Sequence, residues 1–392
     1  MDNRQHRTYQ CRITVNDAEN EVLEAYALLY GKASRTLFSR IQSGGNLTGL
    51  KREFLVRFGI TARQFNAMAF EIKGKIASIR ERKTGLVNEM ERRVERAKSV
   101  LTDVTDPFKR HQKKRRLATL ESRLSRLKED PASGIVRLCF GSRKLFRAQY
   151  NLEENGYASK AMWKEDWRKY RNNQFFVIGS KDENGGCQGC VATVGPDGSI
   201  ALKLRLPNAV QGKYAVFRGL RFNHGHHHIL AATGNNLSAD KRVRQAISYR
   251  FLKDSKGWRV FATVEMREAS RVSMDGIGVI GIDINEDHLA VTEMDRFGNP
   301  VKFFSAPCVT CGKSAKKRAA LIGDTVREVV AFAVNRQKPI VIEALDFQKK
   351  KAALEKESRK KSRMLSSFAY VMIQATIRAR AVDAGIEIHE VN

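Results

Sequence analysis

The chain has 392 residues, with 71 Lys and Arg against 42 Asp and Glu, for a formal net charge of +29. That length allows two or three domains with cores of their own, and a hydrophobic content of 42% excludes a disordered chain. No apolar run reaches the ~18 residues of a membrane span, and the N-terminal MDNRQHRTYQ lacks the apolar centre of a secretion signal.

Residues 8–15, TYQCRITV, read as one strand. Asn16 and Asp17 then offer caps for a helix over about 21–42, with Val22, Leu23, Tyr26, Leu29 and Tyr30 at helical spacing. A second helix is expected over 50–59, closing on Gly59, and a third from near Thr61, with Gln64 three residues on. Ile72, Ile76, Ile79, Leu86, Met90, Val94, Ala97 and Leu101 extend the helical period. TDVTDP at 102–107 breaks it, and Leu117, Leu120, Leu124 and Leu127 resume it. This pattern predicts two helices folded back as a hairpin on one narrow apolar stripe.

Between Lys73 and Lys128 lie 18 Lys and Arg against 7 Asp and Glu. The densest patch holds Lys109, Arg110, Lys113, Lys114, Arg115 and Arg116. A charged helix face is ordinarily just solvated. An excess of one sign points instead to a polyanion, nucleic acid being the commonest. A merely sticky, ribosome-like protein is the plain alternative. A nucleic-acid binder without signal or span belongs in a prokaryotic cytoplasm, in contact with the nucleoid, or in a eukaryotic nucleus.

Beyond Ser133 the texture becomes β. Short runs at 135–140, 175–178, 191–194, 200–206, 214–217, 246–252 and 258–264 are mostly separated by turn residues such as Pro196-Asp197-Gly198. They predict a small antiparallel barrel or sandwich. Residues 143–173, with Trp163 and Trp167, read as a helical insertion whose tryptophans are core rather than base-stacking platforms. His224, His226, His227 and His228 read as a solvated loop.

Six cysteines without a secretion signal do not suggest disulfides. Cys187-x-x-Cys190 and Cys308-x-x-Cys311 each have the spacing of half a zinc site. A four-thiolate site would need the fold to join them, so unpaired thiols in turns are the preferred reading.

From Gly276 the pattern is strand, strand, strand, helix, strand, helix, strand. Ile280, Ile282 and Ile284 alternate with Asp283. A strand sends successive side chains to opposite faces, so Asp283 leaves the face those isoleucines bury. An acid solvated at a strand end, or capping a turn, is the plain account. The helix at 315–335 is followed by Ile340-Val341-Ile342-Glu343, apolar until it ends on a carboxylate. A basic loop with Lys349, Lys350 and Lys351 comes next, then a helix over about 365–384 and a strand from Ile386.

Three antiparallel strands, a helix and a fourth strand is the chain order of the ribonuclease H fold. There, acids on the first and fourth strands, here Asp283 and Glu343, lie side by side. Phosphodiester hydrolysis uses such pairs to hold hard cations beside the attacking water and the leaving oxygen. GIDINEDHLAV, GNP, KPIVIEALDF, the Lys-rich loop, MLSSFAYVMIQATIRARA and GIEIHEVN resemble the RuvC-like domain of TnpB, a family of transposon-encoded, RNA-guided DNA endonucleases related to type V CRISPR effectors. FGSRKLF at 140–146 and SYRFLKDSKGWRVFATV at 248–264 are similar to that family too.

The resemblance implies an α+β multidomain protein. Residues 16–132 would form a helical recognition lobe over the guide–target duplex. Residues 1–15 and 133–272 would form an antiparallel β-barrel, the wedge that grips guide RNA. Residues 273–392 would be the RuvC-like nuclease domain. It further implies two Mg²⁺ ions at Asp283 and Glu343, a guide RNA and a double-stranded DNA target, read by base pairing and held through the duplex backbone. In the family, the strand at Ile386 leads on to a Cys-rich zinc ribbon and a third acid. Neither is in these 392 residues, which implies a domain incomplete at its C-terminus and no zinc. The expectation is therefore a Mg²⁺-dependent, RNA-guided endonuclease. The rivals are a nuclease-inactive guided repressor or truncated remnant, and a structure-specific nuclease of the same fold that needs no guide.

Overall fold

Side-chain caps decide where the long helices begin. After β1 (His6–Arg12), the Asn16 side chain accepts from Glu19 N at 2.8 Å, and Glu19 Oε2 accepts from Asn16 N at 3.0 Å. This reciprocal pair opens α1 (Asp17–Gln42). α2 (Leu47–Phe58) ends on Gly59, left-handed at φ 56°. Thr61 and Gln64 then repeat the reciprocal cap at the head of α3 (Ala62–Thr102). α3 folds back on α4 (Pro107–Ala132) as the expected hairpin. Val94 and Leu120 are buried in it, and Lys98–Glu121 and Lys128–Glu91 pair across it at 3.1 and 2.6 Å.

These facts come from a computed structural model that describes residues 6–132, 136–266, 271–274, 276–344 and 369–391. The chain divides into two compact units, Met1–Met266 and Arg267–Asn392.

In the first unit, α5 (Arg143–Ala148) and α6 (Lys160–Arg171) form the predicted helical insertion. Trp163 Nε1 donates to Leu145 O at 2.7 Å and its ring stacks on Trp167, so Trp163 anchors a small local core as expected. Two antiparallel sheets follow. One runs β1-β7-β6-β2, from β2 (Gln174–Val177), β6 (Ile247–Asp254) and β7 (Gly257–Glu265). The other runs β3-β4-β5, from β3 (Cys190–Val194), β4 (Ile200–Arg205) and β5 (Tyr214–Leu220). The Pro196-Asp197-Gly198 turn joins β3 to β4, with Ser199 N donating to Asp197 Oδ1 at 3.0 Å.

Three sequence expectations fail here. No closed barrel forms among the described residues. β2 leaves its ladder after Val177, where Gly179 N turns to Ser248 Oγ and Ser180 N to Gly186 O, before it could pair with β3. Residues 136–140 are not a strand, and Val136 N donates to the Gln42 side chain at 2.9 Å. His224 lies exposed in a turn, as expected, but the rest of the histidine run is not a loop. It opens α7 (His226–Asn235), where His226 Nδ1 accepts from Phe222 N at 3.2 Å and Nε2 lies 2.9 Å from Gly198 O.

One core serves both sheets and the first three helices. Tyr26 of α1 stacks on Phe175 with centroids 4.0 Å apart, and Phe175 stacks on Phe251 at 4.8 Å. Each such ring contributes about 1.5–3 kcal/mol on burial.

Among its described residues, the second unit is one sheet with two helices. Its strands are β8 (Ile280–Ile284), β9 (His288–Met294), β10 (Pro300–Pro307), β11 (Ile340–Glu343) and β12 (Ile388–Val391). α8 (Ala315–Arg336) precedes β11, and α9 (Tyr370–Asp383) precedes β12. The order is β10-β9-β8-β11-β12; β9 is antiparallel to its neighbours, while β11 is parallel to β8 and β12. The chain order of three antiparallel strands, a helix and a fourth strand is the one expected. Ile322, Val326 and Val330 of α8 and Ile373 and Ile377 of α9 cover Ile280, Ile282, Ile340 and Ile342. Gly278 enters β8 at φ 112°, where an added Cβ would lie 2.0 Å from Met294 O, so glycine alone fits.

Candidate functional site

Parallel pairing of β8 with β11 aligns Ile280 with Ile340, Gly281 with Val341 and Ile282 with Ile342. One residue further along the same register come Asp283 and Glu343. Adjacent strands lie about 4.8 Å apart, and register partners project to the same side. The isoleucines at alternate positions are buried, while Asp283 and Glu343 are exposed. Hydrophobic alternation therefore drives both acids off the buried face together.

α9 borders this pair. Tyr370, its first residue, is buried, and its hydroxyl is pushed up to about 12, by burial first and then by the negative charges of Glu343 and Asp283. One phenol thus senses both carboxylates. A turn further on, Gln374 Nε2 donates to Glu343 O at 2.8 Å and fixes the end of β11 against the helix. Another turn on, Arg378 Nε donates to Glu390 Oε1 at 2.8 Å. Spacing of four residues keeps all three on one row of the helix.

On the other flank, Asn285 Nδ2 donates to Asp283 Oδ2 at 3.1 Å and lies 3.4 Å from His288 Nε2. His288 Nδ1 meets Asp287 Oδ1 at 2.6 Å. That contact with His288 holds Asp287 below the ordinary carboxylate range. The β8–β9 turn therefore orients Asp283 through an amide rather than a cation. Sequence reasoning missed Tyr370, Gln374, Asn285 and His288. The available signal was the polar row Tyr370, Gln374, Arg378 at four-residue spacing along the helix.

Mg²⁺ takes oxygen ligands, and one or two carboxylates suffice because the ion keeps several waters. Asp283 and Glu343 fit one such ion. Among the described residues no group of three or more His, Cys, Asp or Glu is arranged to hold a metal.

The remaining predicted residues are placed as follows. Cys187 and Cys190 lie in the first unit's core. Burial pushes the Cys187 thiol up to about 12 and holds Cys190 well above the ordinary thiol value, and Cys187 Sγ donates to Ile178 O at 3.5 Å. Both thiols are buried, and neither forms a disulfide. Cys308 is buried in the second unit and Cys311 is exposed, and no zinc set forms among the described residues. On α4, Lys109, Arg110, Lys114, Arg115 and Arg116 are exposed and Lys113 is half-buried. Lys109 approaches Asp106 at 3.9 Å. Lys349, Lys350 and Lys351 lie outside the described residues. No helix among the described residues is long and apolar enough to cross a membrane.

No family model matches the chain, and no curated protein does. Solved structures with a similar trace include a Cas12i–crRNA–dsDNA complex, at 10% identity and TM-score 0.30 over 88% of this chain and 62% of that one. Another is a CRISPR-Cas12f ternary complex, at 11% identity and TM-score 0.23 over 98% of this chain and 88% of that one. A third is a Cas12i1 R-loop complex before target DNA cleavage, at 9% identity and TM-score 0.29 over 96% and 56%. The chain thus spans 62% and 56% of the two Cas12i chains. At these scores the likeness is too coarse to bear on chemistry.

Proposed function

We propose that the chain is an RNA-guided DNA-binding protein of TnpB type whose second unit is a RuvC-like nuclease domain. The observation that carries this reading is the pair Asp283 and Glu343, one register step beyond the last paired residues of two neighbouring parallel strands. In this reading the α3–α4 hairpin is the recognition lobe over the guide–target duplex. The two sheets of the first unit are the wedge on guide RNA, and the excess of positive charge contacts phosphates.

Asp283 and Glu343 would hold Mg²⁺, which, when bound, supplies a Lewis acid beside the scissile phosphate. The chain's own residues set the stage for it. Asn285 holds the Asp283 carboxylate through Oδ2. Gln374 holds the Glu343 backbone. Tyr370 is protonated at neutral pH, as any ordinary tyrosine is, and burial and the two acids push its ionisation further up. The phenol therefore adds no third negative charge to the pair.

The test has two arms. Purified protein is examined for a co-purifying RNA of defined sequence, and only heterogeneous cellular RNA would count against guidance. Cleavage of guide-matched DNA with Mg²⁺ is then compared with that by Asp283→Ala. Loss of cutting with binding retained supports the site; equal cutting removes Asp283 from the mechanism. The second reading, a guided binder that blocks DNA without cutting it, is favoured by the finding of two acids rather than three among the described residues. It predicts binding without cleavage in both proteins.

A further inference from the structure

The outer face of the β3-β4-β5 sheet carries a feature that the carboxylate site does not use. The three strands hold no Asp or Glu. Antiparallel pairing sets Arg205 opposite Tyr214 and Lys203 opposite Val216, so these side chains share one face. The Tyr214 ring is ringed by three cations: Lys203 Nζ at 4.5 Å from its centroid, the Arg205 guanidinium at 5.7 Å and Lys213 Nζ at 5.8 Å. Arg205 is fixed in place, donating to Leu206 O at 2.6 Å, Lys213 O at 3.1 Å and Asn208 Oδ1 at 2.6 Å. Tyr214 is 44% exposed, so its ring is open to a partner.

The same tyrosine lines a cavity of about 410 Å³ between the start of α3, β2 and the β3–β5 sheet. Phe176, Arg205, Arg63, Gln64 and Gln188 line it too. Arg63 pairs with Glu183, while its Nε has no hydrogen-bond partner among the described residues. Gln64 is held rigid, its Nε2 donating to Arg205 O at 3.2 Å and its Oε1 accepting from Thr61 N at 2.9 Å. The cavity falls in the ~300–1,000 Å³ range of small-ligand sites and is far too small for a duplex. Aromatic walls, side-chain amides and surrounding cations are the chemistry that takes one unstacked nucleotide. The base stacks, amides and a guanidinium meet its edge, and ammonium groups meet its phosphates.

We propose that this cleft binds a single unpaired nucleotide extruded from the RNA the protein carries, with its base against Tyr214 and its flanking phosphates on Lys203 and Lys213. The proposal rests on the RNA-binding part of the reading above, and it assigns a site to a step that reading leaves open. It concerns single-stranded RNA, not the duplex that α4 would contact.

The probes are two RNA hairpins, one fully paired and one with a single bulged fluorescent adenine analogue. Affinity and fluorescence are measured with the full-length chain, Tyr214→Ala, Tyr214→Phe and the double variant Lys203→Ala/Lys213→Ala. The unaltered chain is expected to prefer the bulged hairpin and to change the analogue's fluorescence. Tyr214→Ala should lose about tenfold in affinity for the bulged hairpin alone, the size of one base–aromatic stack. Tyr214→Phe should retain the preference, because the ring and not the hydroxyl stacks, and that retention also reports a folded site. The double lysine variant should weaken both hairpins but keep the fluorescence change. If Tyr214→Ala and the unaltered chain discriminate the hairpins equally, the proposal is overturned. A bulge preference without any defined co-purifying RNA would leave this pocket standing and sink the guided reading. A defined RNA without bulge preference would do the reverse.

Discussion

Glu293 and Glu71 show what this chain does with acids that folding withdraws from water. The Glu293 side chain is 6% exposed and meets Lys338 Nζ at 2.8 Å and Arg336 Nε at 3.2 Å. The Glu71 side chain is 9% exposed and meets Arg250 at 2.7 Å, Lys75 at 3.1 Å and the Tyr30 hydroxyl at 2.7 Å. Burial pushes Glu71 up, but Arg250, Lys75 and Tyr30 outweigh it and bring it below the ordinary carboxylate range. A carboxyl depressed in the folded state contributes stability above its unfolded pKa and loses it as pH falls through the folded value. The first unit should therefore lose stability on acidification below the ordinary glutamate range, and Glu71→Gln should flatten that loss. Denaturant unfolding at a series of pH values measures both.

Asp283 is different: it is exposed, held by an amide, and stands beside a like charge. Nothing in folding requires its carboxylate, and removing one of two neighbouring negative charges relieves repulsion. Asp283→Asn should thus leave stability within about 0.5 kcal/mol of the unaltered chain or raise it slightly. A clear loss of stability in thermal unfolding would mean the acid is structural, and it would spoil the inference from its activity.

Elements were legible where local chemistry decides them. Asn16 does cap α1, although the helix begins at Asp17 rather than near 21 because Glu19 completes the cap. The Thr61–Gln64 cap is written in adjacent residues and appears as written. So does the alternation that turns Asp283 and Glu343 away from the isoleucines. What was not legible depends on distant partners. The α7 start needs His226 to bridge Phe222 and Gly198, which no local pattern announces. Residues 136–140 have β-prone side chains but no neighbouring strand to pair with, and Gln42 takes Val136 N instead. Tyr370 reads as core because it is core; its nearness to the carboxylates comes from helix placement.

The α3–α4 hairpin gives a prediction of its own. Lys114, Arg115 and Arg116 are exposed, so replacing all three by Gln should change stability little. Every phosphate left without its cation should lower the slope of log affinity against log salt by about 0.9 on duplex DNA. A titration across salt concentrations with guide-loaded protein reads this directly. An unchanged slope would make the patch a solvated face and nothing more.

At the scale of the whole molecule, the two units keep separate cores. Among the described residues, one cluster draws only on residues up to Met266 and the other only on residues after Arg271. Separate cores need not unfold together, and a chain of this kind departs from two-state behaviour. Phe251 and Ile282 are both buried, one in each cluster. Truncation to Ala costs about 3–5 kcal/mol for a core Phe and about 2–5 kcal/mol for a core Ile. If the cores are independent, calorimetry of Phe251→Ala should lower one transition and leave the other in place, and Ile282→Ala should do the opposite. Hydrogen exchange read by mass spectrometry assigns each transition to its unit, since protection should fall only in the unit that carries the substitution. Should either substitution lower both transitions together, the units are one cooperative body. Under the proposed function, loss of the carboxylate sheet could then not be separated from loss of the proposed RNA binding, and a chain that binds without cutting would have to be made at Asp283 itself, where stability is expected to change little.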